Sequence, residues 1–167
     1  MKKNLITILV HNRPGVLSHV AGLVTRRGYN VESIAAGPTE DHSVTRITLV
    51  VAGDKATVEQ VVKQFQKLID VISVDILESE DALTGELALI TLKAGPGRRS
   101  RLVGMANLLG FRLVDILADR VTIQVAGSAR DVDTVVAALT PFTIVSMART
   151  GLVALPRQNG ESLQALP

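Results

Sequence analysis

The residues best suited to chemistry in this chain lie in the segment HNRPGVL at positions 11–17, between a predicted strand and a predicted helix. Asn12 offers both a hydrogen-bond donor and an acceptor, Pro14 pre-sets a turn, and Gly15 allows close approach to the backbone. Backbone N–H groups at the start of a helix have no intrahelical partner and can donate hydrogen bonds to a carboxylate. The segment therefore predicts a binding turn for a small polar ligand.

A second polar group and three apolar side chains complete this candidate site. Asn30, at the start of the second predicted strand, adds a second polar contact. The apolar walls of the predicted site are Val16, Leu17 and Val31. This combination suits a small zwitterion with an aliphatic side chain, because amides and N–H groups bind its charged ends. The alternative is an ordinary strand-to-helix turn.

The rest of the sequence lacks the patterns of catalytic and metal sites. The chain has no cysteine, which excludes disulfides, thiolate nucleophiles and Cys-ligated zinc. Its three histidines, His11, His19 and His42, are scattered. No nucleophile elbow, zinc-binding helix motif, P-loop or dinucleotide fingerprint is present. We expect no catalytic residue, no metal and no cofactor on this chain.

Two features bear on anionic partners. The segment AGPGRRSR at positions 94–101 places three arginines at a predicted helix start, which suits a phosphate or an acidic partner. A solvated helix start is the alternative. RNA-recognition motifs share the element order derived below, but they need stacking aromatics, and residues 4–10 and 43–51 have none. Because the net charge is only +2, we expect no nucleic-acid partner.

The elements that position these residues follow from the spacing of apolar side chains. In the first half, strands are predicted at residues 5–10, 31–36, 44–51 and 71–77. A helical stripe at positions 17, 20, 21 and 24 ends at Gly28, a typical C-cap. Asp54 caps a second helix with a stripe at positions 58, 61, 62, 65 and 68. The order is β-α-β-β-α-β.

The second half repeats this order. Strands are predicted at residues 87–93, 113–117, 121–125 and 142–147, with helical stripes within 102–109 and 132–139. Gly28 and Gly110 are 82 positions apart, whereas Gly53 and Gly127 are 74 apart, so eight residues are missing from the second hairpin. We interpret the chain as a duplication with one shortened turn, and not as two units that are alike by chance.

Right-handed crossovers turn each β-α-β-β-α-β unit into an α+β ferredoxin-like sandwich, a four-stranded antiparallel sheet with both helices on one face. The sequence predicts two such domains, at residues 1–78 and 86–155, joined by an acidic linker at 79–85 and followed by a mobile tail at 156–167. The apolar runs, such as residues 5–10, fall far short of the roughly 20 residues needed to cross a bilayer. We expect a soluble, cytoplasmic protein without a membrane partner.

The sheets have a second face that the helices do not cover. The predicted strands at residues 5–10 and 48–51 are apolar on both sides, whereas an exposed face alternates with polar residues. We therefore expect the bare face or edge to be covered by another domain or subunit.

Several motifs resemble those of a known family. Residues 12–17 (NRPGVL) match the N-x-P-G-x-L loop of the ACT domain, a ferredoxin-like small-molecule sensor. More specific are RGYNVESI at 27–34, PT at 38–39, KLIDV at 67–71 and ARTG at 148–151. From about residue 4 to residue 155, the chain resembles the small regulatory subunits of acetolactate synthase (acetohydroxyacid synthase).

The resemblance implies a non-catalytic homodimer, paired through its ACT domains, that activates a large catalytic subunit and confers feedback inhibition by valine, or in some members by leucine or isoleucine. The large subunit condenses two pyruvates to acetolactate and CO2, and is expected to carry thiamine diphosphate, Mg²⁺ and FAD. Carried over by position, the effector site falls at the interface of the paired domains, at Asn12, Gly15 and Asn30, with Val16, Leu17 and Val31 adjoining. The alternative is a stand-alone ACT-type amino-acid sensor that regulates a different enzyme.

Overall fold

The structure is a computed structural model that describes residues 3–78 and 80–157. The elements are, in order, β1 (Lys3–His11), α1 (Val16–Arg27), β2 (Asn30–Pro38), β3 (Val44–Ala52), α2 (Lys55–Phe65), β4 (Val71–Leu77), β5 (Ala82–Lys93), α3 (Pro96–Leu109), β6 (Arg112–Ile116), β7 (Arg120–Gly127), α4 (Ala129–Ala138), β8 (Thr143–Arg149) and β9 (Val153–Pro156). Two antiparallel sheets have the strand orders β2-β3-β1-β4 and β6-β7-β5-β8. The predicted pair of ferredoxin-like βαββαβ units is confirmed.

Each sheet buries one face against its two helices. In the first unit, Ile6 and Ile8 of β1 are fully buried with Phe65 of α2 in one apolar cluster. In the second unit, Ile90 of β5 and Leu102 of α3 are fully buried in the equivalent cluster. The inward-facing residues of the strands and the apolar stripes of the helices therefore pack into one core in each unit.

The apolar stripe of α1 differs in phase from the predicted one. The sequence favoured positions 17, 20, 21 and 24, but the structure buries Val16, Val20 and Leu23. Leu17 is 53% exposed. Residue 20 belongs to both phases and Val24 is half-buried against the same core, so the point at which the helix begins decides whether residue 16 or residue 17 faces inward. That point is set by Gly15, whose left-handed backbone forms the N-cap.

Local features repeated at fixed offsets support the duplication. Gly28 and Gly110 both end helices in the left-handed conformation, and Asp54 and Ser128 both cap helix starts with their side chains. Two β-bulges also recur 82 positions apart, between Leu9/Val10 and Thr91/Leu92 and between Val31/Ser33 and Leu113/Asp115. Bulges are backbone features, so their recurrence is not explained by similar core composition.

The shortening of the second hairpin was predicted to lie in its turn, and the structure corrects this. β6 has five residues where β2 has nine, and β7 has eight where β3 has nine. The turns span residues 39–43 and 117–119. The deficit therefore falls mainly on the strands, and the first domain has the longer hairpin.

The predicted domain boundaries also need correction. Residues 82–85, which the sequence placed in a linker, begin β5, and Ala82 is buried. By their contacts, the described residues up to Thr84 and from Leu152 onward form one unit, and Gly85–Gly151 form the other. Thus β9, which the sequence analysis did not predict, belongs to the first unit. Residues 158–167 of the predicted tail lie outside the described residues.

Part of the second face of the first sheet is covered by the chain itself. Leu5 points away from the helices and packs against a small cluster of Leu77, Ala82 and Ala154. All four belong to the first unit. Residues at the start of β5 and in β9 thus supply some of the cover that was expected from another domain or subunit.

Candidate functional site

The predicted binding turn is open at the start of α1. Val16 N–H donates to the carbonyl of Arg13 at 3.4 Å, and Gly15 has φ 90° and ψ −16°. This geometry is typical of a type II turn with Pro14 at its second position and glycine at its third. The first bond within the helix runs from His19 N–H to the Gly15 carbonyl at 3.0 Å, so the N–H groups of residues 17 and 18 precede it.

No side chain caps α1, and its first turn contains no acidic residue. By contrast, the Asp54 carboxylate accepts from Thr57 N–H at 2.8 Å at the start of α2. Ser128 and Asp131 form a reciprocal capping box at α4. The hydrogen bonds from Thr57 hold the pKa of the Asp54 carboxyl below its ordinary value, and those from Ser128 do the same for the pKa of Asp131. The start of α1 thus keeps its positive dipole end and its donors for another group.

A cavity of about 330 Å³ lies at this turn, lined by residues 10–18 together with Thr45 of β3. Val10, His11 and Thr45 line it from the first sheet, and residues 16–18 line it from the start of α1. Val16 itself is 4% exposed in the core, so it offers the cavity its backbone rather than its side chain. Leu17, half exposed, provides the apolar side chain at the mouth. Of the predicted residues, Asn12, Gly15, Val16 and Leu17 are brought together here.

Asn12 is also bound to the turn between β2 and β3, residues 39–43. Its side-chain amide donates to the carbonyl of His42 at 2.9 Å, and its backbone N–H donates to the carbonyl of Ser43 at 2.6 Å. This contact was not predicted from the sequence. A signal was present in Asp41 and Ser43, since an Asp two residues before a Ser is typical of a tight Asx-type turn.

Asn30 and Val31 lie at the other end of the same sheet, which corrects the expectation that they adjoin Asn12 in one chain. Asn30 pairs with Ala52, and Ala52 with Lys3, at the opposite end of β1 from His11. Nine residues of β1 separate these ends by about 26 Å. Val31 packs against the core. Within one chain, therefore, the two asparagines cannot contact the same small ligand.

The second domain repeats the Pro-Gly pair but places it inside the helix, whose start, like that of α1, has no side-chain cap. Pro96 and Gly97 follow Pro14 and Gly15 by 82 positions. However, α3 begins at Pro96, two positions earlier than α1 in this alignment, and Gly97 does not have a positive φ. Asn12 is matched by Ala94, which is fully buried. The same dipeptide therefore forms a turn in one domain and the first turn of a helix in the other.

Two of the three arginines at the start of α3 are engaged within the domain. The guanidinium of Arg99 donates to the carbonyls of Leu117 and Ala118 in the β6–β7 turn. Arg101 lies over the ring of Phe142, 6.0 Å from its centroid. These contacts give the arginine segment a structural role, which weakens the phosphate-binding interpretation.

Arg149 forms the most buried ion pair among the described residues, and the sequence analysis assigned it no contact. Its guanidinium binds both oxygens of Glu86 at 2.6 and 2.9 Å and Asp133 at 2.8 Å. The side chain of Glu86 is 5% exposed. These bonds raise the pKa of the Arg149 guanidinium, and the bond to Glu86 contributes most. The three side chains join β5, α4 and β8. Removing either Arg149 or Glu86 leaves a buried charge uncompensated.

The described residues contain no group of three or more His, Cys, Asp or Glu side chains placed to hold a metal ion. No helix in the described part of the chain is long and apolar enough to cross a membrane.

The fold and the open first turn define a two-domain protein of the ACT class. The family model of the AHAS small subunit-like ACT domain matches residues 6–73, and the model of the small subunit of acetolactate synthase matches residues 85–158. The chain belongs to the acetolactate synthase small-subunit family. It is therefore a non-catalytic regulatory subunit, whose partner is a large catalytic subunit.

Relatives match over nearly their whole length. A probable acetolactate synthase small subunit from Archaeoglobus fulgidus is 42% identical over 94% of this chain and 98% of its own. The acetolactate synthase small subunit of Mycobacterium leprae is 38% identical over 91% of this chain and 90% of its own. The crystal structure of the Thermotoga maritima small subunit matches with a TM-score of 0.89 and 31% identity, covering 95% of this chain and 99% of that one.

The left-handed backbone of Gly15 leads to a prediction with an internal control. A Cβ at Gly15 or at Gly97 would meet nothing within 4 Å, so the two positions differ in backbone conformation and not in space. We expect Gly15→Ala to destabilise the protein by about 1–2 kcal/mol, because only glycine adopts a positive φ without strain. Gly97→Ala, within a helix, should be neutral or stabilising by up to about 1 kcal/mol. Urea unfolding of both variants measures this, and equal effects would contradict it.

Proposed function

We propose that this subunit activates the large subunit of acetolactate synthase and makes it sensitive to feedback inhibition by valine, or by leucine or isoleucine. The observation that carries the proposal is the open turn at the start of α1. It combines uncapped helix N–H groups, the Asn12 amide and the exposed side chain of Leu17 around one cavity. Donors at a helix N-terminus favour a carboxylate, and an aliphatic rim favours a branched side chain.

The reaction itself belongs to the partner under this proposal. The large subunit condenses two pyruvates to acetolactate and CO2, with thiamine diphosphate, Mg²⁺ and FAD bound to that subunit. This chain contributes binding energy and a choice between two states of the complex, since an effector acts only through different affinities for those states. We place the complex in the cytoplasm.

The proposed dimer forms through the edge strand β2. Ile34 of β2 pairs with Leu49 on the core side of the sheet, yet its side chain is 45% exposed because no strand lies beyond it. An edge of nine residues offers unpaired N–H and C=O groups to another strand. A second copy of β2, antiparallel and centred on Ile34, covers the Ile34 side chain and pairs with these N–H and C=O groups.

This pairing also brings the separated asparagines together. Pro38 at the end of β2 lies in register with Thr45, and Thr45 with Val10, and the last two line the cavity. In a two-fold pair centred on Ile34, Asn30 of the partner subunit lies opposite Pro38. Valine then bridges two chains, its carboxylate on the N–H groups at residues 15–17 and on the side-chain amide N–H of Asn12, and its ammonium on Asn30 of the partner subunit.

The effector claim predicts ligand-dependent stability and inhibition. Valine at 100 times its Kd should stabilise the folded dimer by about 2.7 kcal/mol in a thermal-shift series that also contains leucine, isoleucine, serine and phenylalanine. Asn12→Ala should weaken valine binding about five- to thirtyfold, the equivalent of about 1–2 kcal/mol, and leave activation of the large subunit intact. Asn107→Ala, an exposed asparagine of α3, is the control.

Two outcomes would contradict this prediction. If no branched-chain amino acid shifts the melting temperature, the chain is not a branched-chain effector subunit. If valine inhibits the complexes of Asn12→Ala and Asn107→Ala equally, the effector site lies elsewhere.

The dimer claim predicts that a charge at one edge of the sheet disrupts assembly and a charge at the other does not. Ile34→Asp places a carboxylate in the proposed interface, where an unpaired charge is costly to bury. Ile76 of β4, on the opposite edge and 41% exposed, provides the matched control Ile76→Asp. Sedimentation should show at least a tenfold weaker dimer for the first variant only. Intact dimers of Ile34→Asp would exclude β2 as the interface.

A further inference from the structure

The turn between β2 and β3 is fixed by its own side chains. The carboxylate of Asp41 accepts from the backbone N–H of Ser43 at 2.8 Å and from its hydroxyl at 2.7 Å. The hydroxyl of Thr39 donates to the Asp41 carbonyl at 3.0 Å. The Ser43 hydrogen bonds hold the pKa of the Asp41 carboxyl below its ordinary value, so this network persists at neutral pH. The turn is therefore a preformed unit with a defined shape.

Only one side chain outside the turn is bonded to it among the described contacts of residues 39–43, and that side chain is Asn12. The Asn12 amide donates to the His42 carbonyl at the same time as it faces the cavity at the start of α1. The bond is exposed to solvent and joins two neutral groups. Such a bond contributes little net stability, so a charged competitor can replace it.

The second domain shows a different way to hold the same turn. There the backbone bond is retained, because Ala94 N–H donates to the Asp119 carbonyl at 2.8 Å as Asn12 N–H donates to Ser43. The side-chain contact is supplied by Arg99, whose cationic Nη2 donates to two consecutive carbonyls. That contact is charge-assisted and belongs to the domain in which the Pro-Gly pair is helical. The neutral, single bond occurs where the pair forms a turn before the helix.

We propose that the Asn12–His42 hydrogen bond transmits effector occupancy to the β2–β3 turn: a ligand carboxylate that takes the Asn12 amide as donor leaves the His42 carbonyl without it. This inference rests on the proposed function, and it names the contact through which effector binding at α1 changes the β2–β3 turn. The backbone bond from Asn12 to Ser43 remains, so the turn loosens without detaching. Glu40, Asp41 and His42 are exposed at its tip, so the change reaches the protein surface.

Hydrogen exchange on the full-length dimer tests this route. Saturating valine should speed amide exchange about three- to tenfold in a peptide covering residues 39–44, the factor expected for loss of one neutral hydrogen bond. The peptide covering residues 117–120 is the internal control, because Arg99 holds it whether or not valine is present. Asn12→Asp, which has no side-chain donor at neutral pH, should show the faster exchange at 39–44 without valine.

Each outcome decides between the two levels of the proposal. If valine stabilises the dimer but exchange at residues 39–44 stays the same or slows, the inference is wrong and the effector site stands. Normal exchange at 39–44 in Asn12→Asp also overturns it. If valine does not bind at all, the proposed function fails and this inference falls with it. Arg99→Met should speed exchange at 117–120 regardless of valine, which shows that the method detects a released turn.

Discussion

The left-handed backbone of Gly15 delays the start of α1, and this delay creates the cavity between the first strand and the first helix. In the second domain the same Pro-Gly pair is helical and α3 begins two positions earlier, so no separate turn precedes the helix at this pair. The backbone conformation of one glycine thus separates an open turn from a helix start. The uncapped N–H groups, the Asn12 amide and the position of Leu17 all depend on that conformation, because each is placed by where α1 begins.

The duplication supplies two versions of one design inside a single chain. Both domains keep a left-handed glycine at the end of the first helix, a side-chain cap on the second helix and both bulges, so the frame is shared to the level of backbone irregularities. They differ where a ligand would sit. In the first domain the neutral side chain of Asn12 is exposed and donates one hydrogen bond to the β2–β3 turn. In the second domain the matching residue, Ala94, is buried, and the cationic side chain of Arg99 holds the β6–β7 turn. A sensor needs contacts that a ligand can replace, and a structural domain needs contacts that persist.

Most of the fold could be predicted from the sequence because strands and helices were marked by strong apolar periods and by caps at Gly28 and Asp54. The phase of α1 could not, since Val16 and Leu17 are both apolar and only the turn before them decides which one is buried. β9 has four residues, too few for a period. The relation between Asn12 and Asn30 was also hidden: both were assigned to one site, but the strand order puts them at opposite ends of a sheet. The hydrogen bonds from Arg99 to backbone carbonyls could not be predicted from the sequence, because every residue has a backbone carbonyl and the type of the accepting residue gives no indication.

The central claim is that one valine is held between Asn12 of one chain and Asn30 of the partner subunit. Mixed dimers of an Asn12→Ala chain and an Asn30→Ala chain test it most directly, because such a dimer contains one intact site and one site that lacks both amides. Titration calorimetry should find one valine per mixed dimer, bound with the affinity of the unmodified protein, against two per unmodified dimer. Absence of any site with that affinity in the mixed dimer would contradict the account.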